Sequence, residues 1–115
     1  LSNETAWAGG FFEGEGYIGL NKRYNGLRMS LSSTDLDSLE RFQEAVDQGS
    51  ITGPYEKKGS TKPIWCWSAS KRDAVIDVAA KLWPWLCSRR QEKVLEVIEQ
   101  YSNASTKRYK QGGSE

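Results

Sequence analysis

The chain has 115 residues, 37% hydrophobic and 27% charged, and its 16 basic and 15 acidic residues leave a net charge of +1. That length fits one domain, and no apolar run approaches the roughly 20 residues of a membrane-spanning helix, so an intracellular domain without leader or membrane contact is expected. The absence of His excludes Ser-His-Asp and Cys-His nucleophiles and His-based zinc sites, while Cys66 and Cys87 lack a CxxC spacing and read as reduced core thiols.

The run Ser2-Asn3-Glu4-Thr5 offers N-caps to an Ala- and Trp-rich first helix running to about Phe12, with Gly14 and Gly16 as its stop. Residues 17–20 then alternate as a strand, Asn25-Gly26 is a hairpin turn signal, and 27–32 is the return strand. Thr34 or Asp35 caps a second helix on Leu36, Leu39, Phe42 and Val46, which Gln48-Gly49 ends. A second hairpin joins 51–55 to 64–68. Ser70 caps a third helix through Val75, Val78, Ala79, Leu82 and Leu86, which Pro84 kinks or interrupts. A fourth helix covers about 89–101, leaving 1–101 as the domain and 102–115 as a polar, frayed tail. This order predicts an α+β domain with a four-stranded antiparallel sheet.

Such a sheet buries one face under helices and presents the other. Strand parity assigns Tyr17, Asn21, Arg23, Arg28, Ser30 and Ser32 to the outward face, joined by Lys57, Lys58 and Lys62 from the second hairpin loop. These aromatic, amide, hydroxyl and cationic groups suit the edges of bases in a major groove. Trp65 and Trp67 share one parity and must face the same way, toward either the helices or a nucleic acid; Trp65 is counted with the DNA-contact candidates.

The stretch Trp7-Ala8-Gly9-Gly10-Phe11-Phe12-Glu13-Gly14-Glu15-Gly16 carries the most chemistry. Adjacent glycines inside a helix each cost about 1 kcal/mol relative to Ala, so a close backbone approach is expected to compensate. Ala6, Gly9, Gly10 and Glu13 fall on roughly one side, where a second helix could press. Glu15, just past the expected helix end, meets the negative pole of the helix dipole, where a carboxylate calls for a cation.

This segment resembles the signature motif of the LAGLIDADG homing endonucleases, with Glu13 and Glu15 at the two acidic positions. Gly-Pro-Tyr at 53–55, Trp65-Cys66-Trp67 and Trp83-Pro84-Trp85-Leu86 followed by Arg89-Arg90-Gln91 resemble later blocks of that family. The resemblance implies an αββαββα core and, with one motif copy, a homodimer paired through the motif helices at Ala6, Gly9, Gly10 and Glu13. It implies that Glu15 and the Gly14 carbonyl bind Mg²⁺ (or Mn²⁺) for cleavage of double-stranded DNA at a long pseudo-palindromic site. Arg89, or Arg90 with a one-residue slip, stands where the family places a cation near the scissile phosphate, and Ser33 stands near a frequent Gln. A non-cleaving relative, either an RNA-splicing maturase or a DNA-binding regulator, is the alternative; a module that uses the glycine helix only to dimerise is the third.

Overall fold

The computed structural model describes residues 3–21, 26–56, 58, 59 and 61–113, with Asn21 and 104–113 described by backbone alone. Its elements are α1 (Asn3–Glu15), β1 (Tyr17–Asn21), β2 (Gly26–Ser33), α2 (Leu36–Val46), β3 (Ser50–Tyr55), β4 (Ile64–Ala69), α3 (Arg72–Leu82), a 3-10 turn (Trp83–Trp85) and α4 (Ser88–Gly113). The expected α+β class and four-stranded antiparallel sheet are both present, with strand order β1-β2-β4-β3.

One face of the sheet carries Ile18, Leu27, Met29, Leu31, Trp67 and Ala69, all buried beneath the helices. Trp67 sits at the centre of this layer. Its ring meets Phe42 of α2 edge-on at 4.7 Å between centroids, and its Nε1 donates to the Gln48 carbonyl at 2.9 Å. The indole thereby satisfies its one polar group inside the core.

α2 shows how local sequence sets an element. Asp35 accepts from the Asp37 N–H at 3.1 Å and from the Ser38 hydroxyl at 2.8 Å, which satisfies the helix start. The Leu39, Phe42 and Val46 repeat then turns one face into the core. Asp47, in the left-handed region at φ 53°, returns its N–H to the Gln43 carbonyl and closes the helix. Thus Asp35 rather than Thr34 is the cap, and the stop precedes Gln48 by one residue.

Several boundaries differ from the sequence reading. α1 continues to Glu15 rather than Phe12 because the Gly16 N–H reaches the Phe12 carbonyl, while Arg90 donates to the Glu13 carbonyl in the final turn and to the Gly16 carbonyl just past it. Gly26, expected within a turn, is the first residue of β2 and pairs with Asn21; Asn25 lies outside the described residues. α3 has Lys71 at its N-cap with no side-chain cap, in place of Ser70. α4 runs on to Gly113 where a frayed tail from residue 102 was expected. Pro84 does interrupt the helical run as anticipated, within the 3-10 turn.

β3 forms an outer edge of the sheet and is irregular. Its pairing with β4 shifts between Thr52 and Tyr55, around Gly53 at φ 126° and Pro54.

Candidate active site and nucleic-acid interface

The end of α1 is built from two pairs of residues spaced one helical turn apart. Gly9 and Glu13 turn toward the chain's own C-terminal half. A side chain at Gly9 would collide with Cβ of Trp85, so the close approach that this glycine permits is to the 3-10 turn of the same chain. The Glu13 carboxylate accepts the Cys87 backbone N–H and thiol, each at 2.9 Å. Gly10 and Gly14 face the other way, and a Cβ at either would meet nothing within 4 Å. The set expected at a dimer interface therefore divides. Gly9 and Glu13 have partners inside the chain, Gly10 is open, and Ala6 is half-buried.

Glu15 is the last residue of α1 and is exposed. Carbonyls at a helix C-terminus lack internal donors, and here α4 supplies them. Arg90 Nη2 donates to the Glu13 carbonyl at 2.8 Å and Nη1 to the Gly16 carbonyl at 3.0 Å. Arg90 is thus half-buried and committed to α1, while its neighbour Arg89 is exposed. Arg89, Arg90 and Glu13 line a cleft of about 320 Å³ together with Lys93. Lys93 was missed in the sequence reading, although its spacing of four from Arg89 on a predicted helix put both on one face.

The outward face of the sheet is arranged in cross-strand rows. Tyr17, Ser30, Ser68 and Ser50 form one row, Gly19 and Arg28 a second, and Ser32, Cys66 and Thr52 a third. None of these residues is acidic. Tyr17 is 54% exposed, and its ring lies along the strand over Gly19, where a side chain would strike the hydroxyl. Arg28 and Ser32 are exposed and Ser30 is half-buried. Lys58 and Lys62 are exposed in the β3–β4 connection. Arg23 and Lys57 lie outside the described residues, as does the side chain of Asn21.

Trp65, expected to contact DNA, and Ser33, expected near the chemistry, both share the parity of the buried face of the sheet. Trp65 shares the parity of buried Trp67 and packs against the core from the helix side, so it does not join the outward rows. Ser33 likewise shares the parity of buried Leu31, and its hydroxyl accepts the Asp35 N–H at 3.0 Å where β2 enters α2. Its position serves that turn.

No protein-family profile matches the chain. Among solved structures, it aligns with homing endonuclease I-CvuI in complex with its target at a TM-score of 0.64 and 18% identity, covering 89% of this chain and 69% of that one. It aligns with the intron-encoded homing endonuclease I-CeuI complexed with DNA at a TM-score of 0.70 and 13% identity, over 92% of this chain and 57% of that one. The chain has the LAGLIDADG homing endonuclease fold. A third similar structure, the LAGLIDADG meganuclease I-AabMI bound to uncleaved DNA, gives a TM-score of 0.66 at 16% identity over 94% of this chain. This chain spans only 39% of that protein. The segment that resembles the family motif forms α1 and its junction with β1, and Glu13 and Glu15 lie at the end of that helix. Among the described residues, no helix is long and apolar enough to cross a membrane.

Proposed function

We propose that the protein is a homodimeric, divalent-metal-dependent endonuclease that cuts double-stranded DNA at a long, roughly palindromic site. The observation that carries this reading is the position of Glu15, an exposed carboxylate at the end of the motif helix, beside a sheet face of Tyr17, Arg28, Ser30 and Ser32 without an acid. Such a face can approach phosphate and base edges without like-charge repulsion. Arg28, Lys58 and Lys62 supply cations on a molecule whose net charge is close to neutral.

The donor chemistry at the helix end suits a hard cation. The Glu15 carboxylate and Gly14 carbonyl would offer oxygen ligands of the kind Mg²⁺ or Mn²⁺ takes. Among the described residues no three His, Cys, Asp or Glu side chains cluster as a metal site, so the remaining ligands would come from a second protomer and from DNA phosphates. The metal, when bound, would stabilise charge at the phosphodiester being hydrolysed. Arg89, exposed at the mouth of the adjoining cleft, would hold phosphate oxygens as a fixed cation.

Pairing of two chains is supported by the open Gly10–Gly14 surface of α1 and by Trp85, which is 41% exposed next to Gly9. Two-fold pairing would present two copies of the outward face to two half-sites.

The deciding experiment is a plasmid-library cleavage assay with Mg²⁺ or EDTA, comparing wild type with Glu15→Gln. Cutting by wild type in Mg²⁺ alone, and none by Glu15→Gln, is the expected result. Equal cutting by both proteins removes Glu15 from the chemistry. Selective binding with no cleavage in any divalent metal favours a maturase or DNA-binding regulator.

A further inference from the structure

We infer that Arg90 is a positioning residue that fixes the backbone carrying Glu15, and that it does not itself contact phosphate. This rests on the nuclease reading. Its two guanidinium nitrogens hold the Glu13 and Gly16 carbonyls at 2.8 and 3.0 Å, and those two carbonyls bracket Gly14 and Glu15. Besides Arg90, the tie that closes this end of α1 is the Gly16 N–H bond to the Phe12 carbonyl. Gly14 meets no neighbour within 4 Å of where a side chain would begin, and glycines on both sides of Glu15 leave its backbone free to sample many conformations. Helix ends of this composition ordinarily fray.

Arg90 suits the task for three reasons. Its planar fork offers parallel donors at fixed spacing, which a lysine ammonium lacks. Its charge sits at the negative pole of α1, where a cation is favoured. Its own placement is secured in return, because the Glu13 carboxylate accepts the Cys87 N–H at the start of α4, the positive pole of that helix. The two helices exchange end-groups: a cation from α4 closes α1, and an anion from α1 opens α4. The guanidinium also lies over the Phe12 ring at 5.5 Å, which holds it against the core. With Arg90 engaged in this way, Arg89 and Lys93 are left as the exposed cations lining the cleft.

The test uses the full chain. Amide hydrogen exchange, read by nitrogen-15 NMR, is compared among wild type, Arg90→Met and Arg90→Lys. The Gly16 N–H, bonded to the Phe12 carbonyl at 2.7 Å, should exchange about tenfold faster in Arg90→Met, with Arg90→Lys intermediate because its ammonium offers a single donor nitrogen in place of two. The variants are then assayed under single-turnover conditions on a duplex that the wild type selects from a random library. Arg90→Met should cut at least about tenfold more slowly while binding that duplex as tightly as wild type, and Arg90→Lys should recover part of the rate. Unchanged Gly16 exchange overturns the inference. So does a loss of DNA affinity that accounts for the loss of cutting, since Arg90 would then be a phosphate contact. If Arg90→Met fails to fold, the same criteria apply to Arg90→Lys. A wild type that cuts no duplex overturns the nuclease reading instead, and the exchange measurement still decides whether Arg90 holds the end of α1.

Discussion

The Glu13 carboxylate receives both the backbone N–H and the thiol of Cys87, each at 2.9 Å, and so joins α1 to the start of α4. Those two hydrogen bonds, helped by the charges of Arg90 and Arg89, hold its carboxyl below the ordinary value of 4.5. A carboxyl depressed in the folded state contributes stability above its unfolded value and loses it as pH falls through the folded one. Glu13→Gln should therefore lower stability at pH 7 by about 1 kcal/mol, a figure discounted for solvent access. The deficit should shrink as pH falls below 4.5. Urea unfolding across that range measures it, and a deficit independent of pH would contradict the ionic role.

The glycine pair of α1 should respond in opposite ways. Gly9→Ala drives a methyl into Trp85 and should destabilise the fold by about 1–3 kcal/mol, less what Ala returns in helix propensity. Gly10→Ala meets no neighbour within the chain and should stabilise the isolated helix, yet weaken dimer formation if motif helices pair there. Thermal melts and sedimentation equilibrium separate the two effects. A Gly10→Ala protein that dimerises as tightly as wild type would move the interface elsewhere.

The tryptophans of β4 differ in depth. Trp67→Ala removes a fully buried indole that Phe42 and Gln48 both contact, and a loss of about 3–5 kcal/mol is expected. Trp65→Ala should lower the melting temperature less and leave DNA affinity intact, because Trp65 packs from the helix side. A selective loss of DNA binding in Trp65→Ala would return that residue to the interface.

Arg28 tests the outward sheet face. It is exposed in the row opposite Gly19. Arg28→Ala should weaken DNA binding and reduce the slope of log affinity against log salt by about one if it meets phosphate. A unchanged slope with altered site preference would assign it to base recognition instead. Fluorescence anisotropy over a salt series gives both quantities.

Elements with local causes were legible in the sequence. The second helix follows from Asp35 and the Leu39, Phe42 and Val46 repeat, and the structure reproduces it within a residue. The reach of α1 was not legible. Gly14 and Gly16 are local stop signals, and the donor that overrides them, Arg90, lies 74 residues from Gly16 in the chain. The same distance hides the Cys87 partner of Glu13. For Trp65 and Trp67, alternation showed that they share a face; choosing the face required the contact between Trp67 and Phe42. Glu15 was readable as an acid at the end of a glycine-rich helix, whereas the assignment of Arg90 to that helix, leaving Arg89 exposed, required the folded chain.

The irregular outer strand has a consequence for how the molecule keeps to itself. An additional strand laid along β3 would meet Pro54, which has no N–H to offer, and a shifted register on either side of it. Ribbon-like growth of the sheet from that border is thereby obstructed, a safeguard against clumping at high concentration.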